Sequence, residues 1–404
     1  MKKNILIIFK EKKRGRVFDF YLERKFSKKF NVNIFYLDQF FNLTTKNIIK
    51  KINKKIKFSK IDVVLFEGDH VSIIDTEFVD QIDKTVKKGL LSFDDTYYHF
   101  ENLILSTSMD FALVGGEYEK YQLNEIGIET HLCFVEDDIN IFKNYGEEKK
   151  YDVLFFGRNI TDREEIYNYL IENNIKVKTI TKNEKAFYDD FELAKIINQS
   201  KIIICPTKTE TTKRKNNPLN NFNYIYQTKG RVFMVGLSNS LALSEPFPAQ
   251  DVIFKNNVLP IFKSKEECLK KVRLYLSNNV KLKNDTKKFA KATKLFLKKN
   301  SITQIKLFIE KIDKIKNKNR AKIKIPDWYR ILFFKKNLML RYRHGFSISL
   351  LFTYLDMLLY SKFKFLILFI LFFPIVLIMF IMSFFKKKRK LEKKRKTRKK
   401  IKTR

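Results

Sequence analysis

Two short clusters in this 404-residue chain carry side chains that could move a proton. Asp69-His70 follows the apolar run at residues 61–66, and Asp94-Asp95 follows residues 90–93, with His99 four positions further on. Imidazole and carboxylate groups are the common general bases, so His70, Asp69 and Asp95 are the candidates for taking a proton from a reacting hydroxyl. A helix cap for each aspartate and a structural histidine are the plainer alternatives. Two basic loops could meet anions. Residues 10–16 (KEKKRGR) could hold a phosphorylated or lipid-linked group, and residues 208–216 (KTETTKRKN) could form a mobile loop on the other half. Solvated loops would account for both equally well.

Other chemistries lack their residues. Cys133, Cys205 and Cys268 lie far apart, with no CxxC pair and no His/Cys spacing, so zinc and a disulfide framework find no ligands or partners. A reducing cytoplasm is the natural setting. No GxGxxG follows a strand, and GxxxxGK[ST], HExxH and GxSxG are absent from the sequence. That removes the usual anchors for dinucleotide binding, P-loop hydrolysis, zinc proteolysis and serine hydrolysis.

The elements that would position the candidates alternate in type. Strands are expected at 4–9 (NILIIF), 31–37, 61–66, 90–93, 110–115 and 129–134, and helices at 18–30, 45–56 and 118–125. Residues 4–9 form too short an apolar core for a signal peptide and read as a first strand. Gly115-Gly116 suits a tight turn. Residues 143–150 (KNYGEEKK) are polar and read as an interdomain linker. The pattern then restarts, with strands at 151–157, 176–180, 201–207 and 252–254, and an apolar run beginning at 231–235. Helices are expected at 162–173, capped by Thr161, and at 191–199, 265–277 and 286–299. Short apolar strands separated by helices imply an α/β fold of two Rossmann-like, doubly wound domains. Ligands of such sheets bind at the carboxyl ends of the strands, which makes the cleft between the halves the default site.

Charge and hydropathy point to a membrane. Residues 365–385 are 21 positions without a charge, interrupted only by Pro374 and Ser383. As a helix they would reach about 31 Å, the thickness of a bilayer core. Residues 386–404 carry 14 Lys/Arg against one Glu and supply +13 of the net charge of +38. Such a tail favours anionic membrane lipids. With Lys362 and Lys364 before the run and the tail behind it, both flanks favour the cytoplasm. Pro374 could kink the run into a re-entrant hairpin, or residues 346–360 could form a second arm. The aromatic and basic residues before it suit an interfacial segment, so C-terminal membrane-associated helices are expected. Nucleic acid is a disfavoured partner, because no aromatics are interleaved in the tail for base stacking. Excess lysine also follows from the Lys-, Asn-, Ile- and Phe-rich usage of an AT-rich genome.

Several stretches together resemble a known family. Residues 110–134 (DFALVGGEYEKYQLNEIGIETHLCF) precede 151–158 (YDVLFFGR), then 229–233 (KGRVF), then the block 251–277. This order resembles the CgeB-like branch of the GT-B glycosyltransferases, over roughly residues 4–315. The resemblance implies a membrane-associated glycosyltransferase moving a sugar from a nucleotide sugar to a glycan, lipid-linked or protein acceptor, with no cofactor and no metal. It implies an acceptor domain at 1–145 and a donor domain at 151–315. A basic and aromatic juxtamembrane region follows at 316–362, a transmembrane or re-entrant segment at 363–385 and the polybasic tail at 386–404. The setting would be the cytoplasmic face of a bacterial inner membrane. Gly157 and Arg158 match the glycine-and-basic turn facing the donor diphosphate. Arg231 matches the arginine of an R-x-F-E stretch, and Lys229 adds a second cation. The family acid expected three positions after Arg231 is Met234 here; Glu210 and Glu245 are the substitutes. A copy that has lost catalysis and serves as a binding or scaffold protein is the alternative.

Overall fold

The computed structural model describes residues 2–10, 18–68, 74–93, 95–134, 138–157, 161–181, 189–210 and 224–314. It divides into two compact units, one built on Met1–Leu91 and Phe100–Ala112, the other on Ser92–His99 and Leu113–Lys316.

The first sheet contains β1 (Asn4–Phe9), β2 (Asn31–Tyr36), β3 (Val63–Glu67), β4 (Lys87–Ser92), β5 (Phe111–Val114) and β6 (Glu129–Leu132), in the order β2-β1-β3-β4-β5-β6. β1 pairs in parallel with both β2 and β3. Chain direction across the sheet therefore reverses between β1 and β3, where ligands of doubly wound sheets collect. Ile5, Leu6, Ile7 and Ile8 are fully buried, as are Val63 to Phe66. Strands covered on both faces read as continuous apolar runs, which is why β1 is legible as NILIIF.

Helix α1 (Phe18–Ser27) joins β1 to β2, and α2 (Thr45–Phe58) joins β2 to β3. Thr44 caps α2 by accepting from the Asn47 N–H at 3.3 Å. Ile48, Ile49, Ile52 and Ile56 bury one face of α2. Three further helices connect the strands of this sheet: α3 (Thr76–Asp80), α4 (Asp95–Ser106) and α5 (Glu117–Glu125), the last of which belongs to the second compact unit. Gly116 begins α5, and a Cβ there would lie 1.8 Å from Glu119 Oε2, so the Gly115-Gly116 turn is set by space.

The second sheet is four-stranded and parallel, in the order β12-β9-β7-β8. Its strands are β7 (Tyr151–Gly157), β8 (Val177–Thr181), β9 (Ser200–Cys205) and β12 (Leu241–Ser244). A short antiparallel pair, β10 (Lys208–Glu210) and β11 (Tyr224–Tyr226), stands apart from it. Helices α6 (Thr161–Glu172), α7 (Asp190–Asn198), α8 (Gly230–Leu237), α9 (Gln250–Ile253), α10 (Lys265–Ser277), α11 (Asn279–Lys299) and α12 (Ile302–Lys314) complete this half. Val153, Phe155, Ile202, Ile204, Leu241 and Leu243 form the sheet's share of one core cluster. Two parallel-sheet, Rossmann-like halves of this kind are the arrangement expected from the alternating pattern.

The structure differs from expectation at several elements. Residues 252–254 are not a strand: Gln250–Ile253 is a helical turn, with Ile253 buried and Val252 58% exposed. The apolar run from Arg231 belongs to α8, whose Val232 to Leu237 are all buried. A helix buried on every side has no amphipathic stripe and imitates a buried strand. Helix α6 begins at Thr161 itself, whose side chain lies outside the described residues. Residues 143–150 are tied to the α7–β9 turn. Tyr145 N–H donates to Asn198 Oδ1 at 2.8 Å, and Lys149 Nζ donates to the carbonyls of Asn198 and Ser200 at 2.7 and 2.8 Å. Burial pushes the Lys149 amine down to about 8.

Among the described residues no helix is long and apolar enough to cross a membrane. The expected membrane segment at 365–385, its interfacial neighbours and the polybasic tail lie outside the described residues.

Candidate functional site

In the second sheet, direction reverses between β7 and β9. Gly157, Arg231 and Glu245 gather at the carboxyl ends of this sheet's strands, with Lys229 and Arg163 beside them. β7 ends in Gly157 at φ +133°, a backbone conformation that L side chains rarely adopt. An added Cβ there would lie 2.9–3.2 Å from the guanidinium atoms of Arg231. Glycine is thus required at 157 both by its backbone and by the approach of Arg231.

Arg231 stands in the first turn of α8. Its Nη1 donates to the Phe156 carbonyl at 2.8 Å, and its guanidinium carbon lies 5.7 Å from the Phe156 ring centre. A guanidinium presents five N–H donors in a rigid fork, so anchoring one of them directs the rest. Burial pushes the Cys205 thiol up to about 12, and the nearby Arg231 charge opposes that rise. Arg231 therefore sits over the β7/β9 reversal rather than on an outer surface.

The first turn of α8 holds no acidic residue, and Lys229 is its N-cap residue. Helix N-termini carry partial positive charge and favour anions. Two cations there add to that field instead of balancing it. The local electrostatics are complementary to a bound anion.

β9 and β12 supply a second brace. Glu245, directly after β12, is buried. Its Oε2 accepts the Thr207 and Lys208 N–H groups at 2.8 and 3.0 Å, and Oε1 lies 3.8 Å from Lys208 Nζ. One carboxylate thereby fixes the turn leaving β9. The buried Arg163 of α6 donates from Nη2 to the Lys208 carbonyl at 2.8 Å, tying α6 to the same turn.

Gly157, Arg231 and Glu245 thus meet at one end of one sheet, with Lys229 at the adjoining helix end. Arg158 lies outside the described residues, as do Asp69 and His70. The backbone of Asp95 opens α4 and that of Glu210 closes β10, while their side chains are outside the description. Met234, at the expected acid's position, is buried in α8 with 6% exposure.

Two carboxylates and one cation escaped the sequence reading. Arg163 is the third residue of α6, six positions after Gly157, and this placement was the available signal. Glu67 ends β3 at the β1/β3 reversal, is buried and accepts the Lys10 N–H at 2.9 Å. Asp75 caps α3 by accepting from the Phe78 N–H at 2.7 Å, and burial raises its carboxyl to about 7.

No family model and no curated protein sequence matches the chain. Solved structures do. HepE from Anabaena, in complex with UDP and glucose, superposes with a TM-score of 0.52 at 9% identity, covering 78% of this chain and 100% of that one. Sucrose-phosphate synthase from Thermosynechococcus elongatus gives 0.53 at 7% identity, covering 77% of this chain and 100% of that one. A protein described as a UDP-N-acetylglucosamine 2-epimerase from Listeria monocytogenes gives 0.51 at 10% identity, covering 80% and 100%. The chain has the GT-B type of fold, built from two Rossmann-like halves.

Proposed function

We propose that this chain is a glycosyltransferase of the CgeB-like GT-B type. It moves a sugar from a nucleotide-sugar donor to a glycan, lipid-linked or protein acceptor. The observation that carries the reading is Arg231, anchored on the Phe156 carbonyl at the β7/β9 reversal, in a helix turn that holds Lys229 and no acid. Similar folds hold UDP with glucose and UDP-glucose.

In the reaction, the bond between the sugar's anomeric carbon and the diphosphate oxygen breaks, and a bond from that carbon to the acceptor oxygen forms. The electron pair leaves with the nucleoside diphosphate, whose growing negative charge Arg231, Lys229 and Arg158 would stabilise. The acceptor hydroxyl gives up its proton to a base, with His70, Asp69 and Asp95 as candidates in an inverting route. Gly157 lets Arg231 approach, while Glu245 and Arg163 hold the neighbouring turn. Residues 365–385 and the basic tail would keep the enzyme on the cytoplasmic face of a membrane, against anionic lipids.

The test is turnover of a panel of UDP-, GDP- and dTDP-sugars by the full chain, with Arg231→Ala as control. Release of nucleoside diphosphate by the native chain, lost in the variant, is expected. Absence of both turnover and nucleotide binding would overturn the reading. A catalytically inactive GT-B protein that binds or scaffolds is the second reading, and Met234 in place of the family acid favours it. Nucleotide binding without turnover of any sugar would select it. Deleting residues 363–404 should make membrane attachment reversible by high salt; salt-resistant sedimentation of the shortened chain with membranes would remove the anchor from the account.

A further inference from the structure

We infer that the exposed face of α2 is a docking surface for an anionic lipid bilayer. This inference stands independently of sugar transfer. Helix α2 (TKNIIKKINKKIKF) contains six lysines and no acid. Its four isoleucines face the core, which leaves Lys46, Lys50, Lys54 and Lys57 exposed at intervals of four, four and three. Residues so spaced share one side of a helix. The row extends along a helix about 21 Å long. Exposed Lys51 flanks it, with its Nζ 5.3 Å from the ring centre of Phe40.

Phe58 closes the helix and is 89% exposed, the largest exposure among the described large apolar side chains. Phenylalanine in water at the end of a lysine row has no stabilising role in the fold. Transfer of such a ring to an apolar phase is favoured roughly 10- to 100-fold. A polyanion would reward the lysines and leave Phe58 in water. A bilayer rewards both, with lysines at the headgroups and the ring at the acyl boundary.

The fold leaves this face open to such a partner. No ion pair engages Lys46, Lys50, Lys54, Lys55 or Lys57 among the described residues. Asp83 is the neighbouring carboxylate that feels Lys57, and its oxygen already accepts the Thr85 N–H and hydroxyl at 3.0 and 2.8 Å. The same edge of α2 is pinned one turn before Lys57 through Asn53, which donates to the Gln81 carbonyl at 3.1 Å and accepts from the Asp83 N–H at 3.0 Å. The face is therefore held rigidly in shape before any partner arrives. The same chain carries an uncharged run at 365–385, so a bilayer is the surface it would meet.

A test reads this helix separately from the C-terminal tail. All three native cysteines are buried, so Phe58→Cys in the full chain can carry a single apolar, polarity-sensitive fluorophore. The labelled protein is mixed with vesicles of equal parts phosphatidylglycerol and phosphatidylcholine, some with brominated acyl chains. Quenching by bromine is expected, with loss in pure phosphatidylcholine and suppression by high salt. Lys46→Gln, Lys50→Gln and Lys54→Gln together should shift the docked–undocked balance by about a hundredfold, at roughly fivefold per cation. Co-sedimentation with vesicles but no quenching would overturn the inference and leave the tail as the anchor. Quenching indifferent to the three lysines, or a stronger probe response to heparin or single-stranded DNA than to vesicles, would overturn it as well. Thermal shift by UDP reports the donor site independently of either result.

Discussion

Replacing Gly157 with alanine tests how the candidate site is assembled. The φ of +133° is unfavourable for an L residue, and holding alanine there costs about 1–3 kcal/mol. The new methyl would lie 2.9 Å from Arg231 Nη2 and 3.0 Å from Nη1, so the guanidinium must withdraw from the Phe156 carbonyl. A lost hydrogen bond from a charged donor adds about 1.5–3 kcal/mol. The total of about 2.5–6 kcal/mol corresponds to a fall in Tm on the order of 10 °C for a unit of this size. Arg231→Ala removes only the hydrogen bond and should cost about 2 kcal/mol. The double variant is decisive. With no guanidinium to displace, it should be about as stable as Gly157→Ala alone, leaving a coupling of about 1.5–3 kcal/mol. Urea midpoints and thermal scans of the four proteins measure this cycle. Additivity within about 0.5 kcal/mol would refute the claim that Gly157 is small because Arg231 must approach it.

Three other perturbations have expected outcomes. Glu245→Ala strips the acceptor from the buried Thr207 N–H and the half-buried Lys208 N–H and should cost about 2–4 kcal/mol in chemical denaturation, with Glu245→Gln costing less than half of that. Gly236→Ala would place a Cβ 2.1 Å from Thr293 Oγ1 between α8 and α11, so about 1–3 kcal/mol should be lost to overpacking. Asp75 titrates at about 7 in the fold and near 4 when unfolded, so the folded state holds the extra proton between these values. Stability should therefore fall as pH rises from about 4 to 7, by at most about 4 kcal/mol, and stay low above it. Asp75→Asn keeps an acceptor for the Phe78 N–H and should flatten this slope while raising Tm at pH 8. An unchanged slope would show that Asp75 is solvated.

Much of the fold was legible, because buried parallel strands are continuous apolar runs. β1, β7 and α10 span the residues their patterns indicate. β12 was not legible: Leu-Ala-Leu-Ser has no β-branched residue, and it lies between the polar Asn239-Ser240 and Glu245-Pro246. Without β12, the placement of Glu245 at the carboxyl end of a strand could not be read. Helix α8 was hidden by its burial on all sides. The site itself was legible as residue types, glycine followed by cations, but not as a contact. Arg231 reaches the Phe156 carbonyl across 75 positions, and no local pattern records that meeting. Asp75 and Lys149 owe their shifted protonation to burial, which exists only once the chain has folded.

The most direct test of the central claim is the phosphorus NMR spectrum of UDP titrated with the full chain and with Arg231→Ala. A diphosphate held at the β7/β9 reversal by the Arg231 guanidinium should broaden and shift the β-phosphorus resonance, and the variant should weaken that effect at least tenfold. A β-phosphorus signal that stays unperturbed by the native chain, or responds equally to the variant, would contradict it.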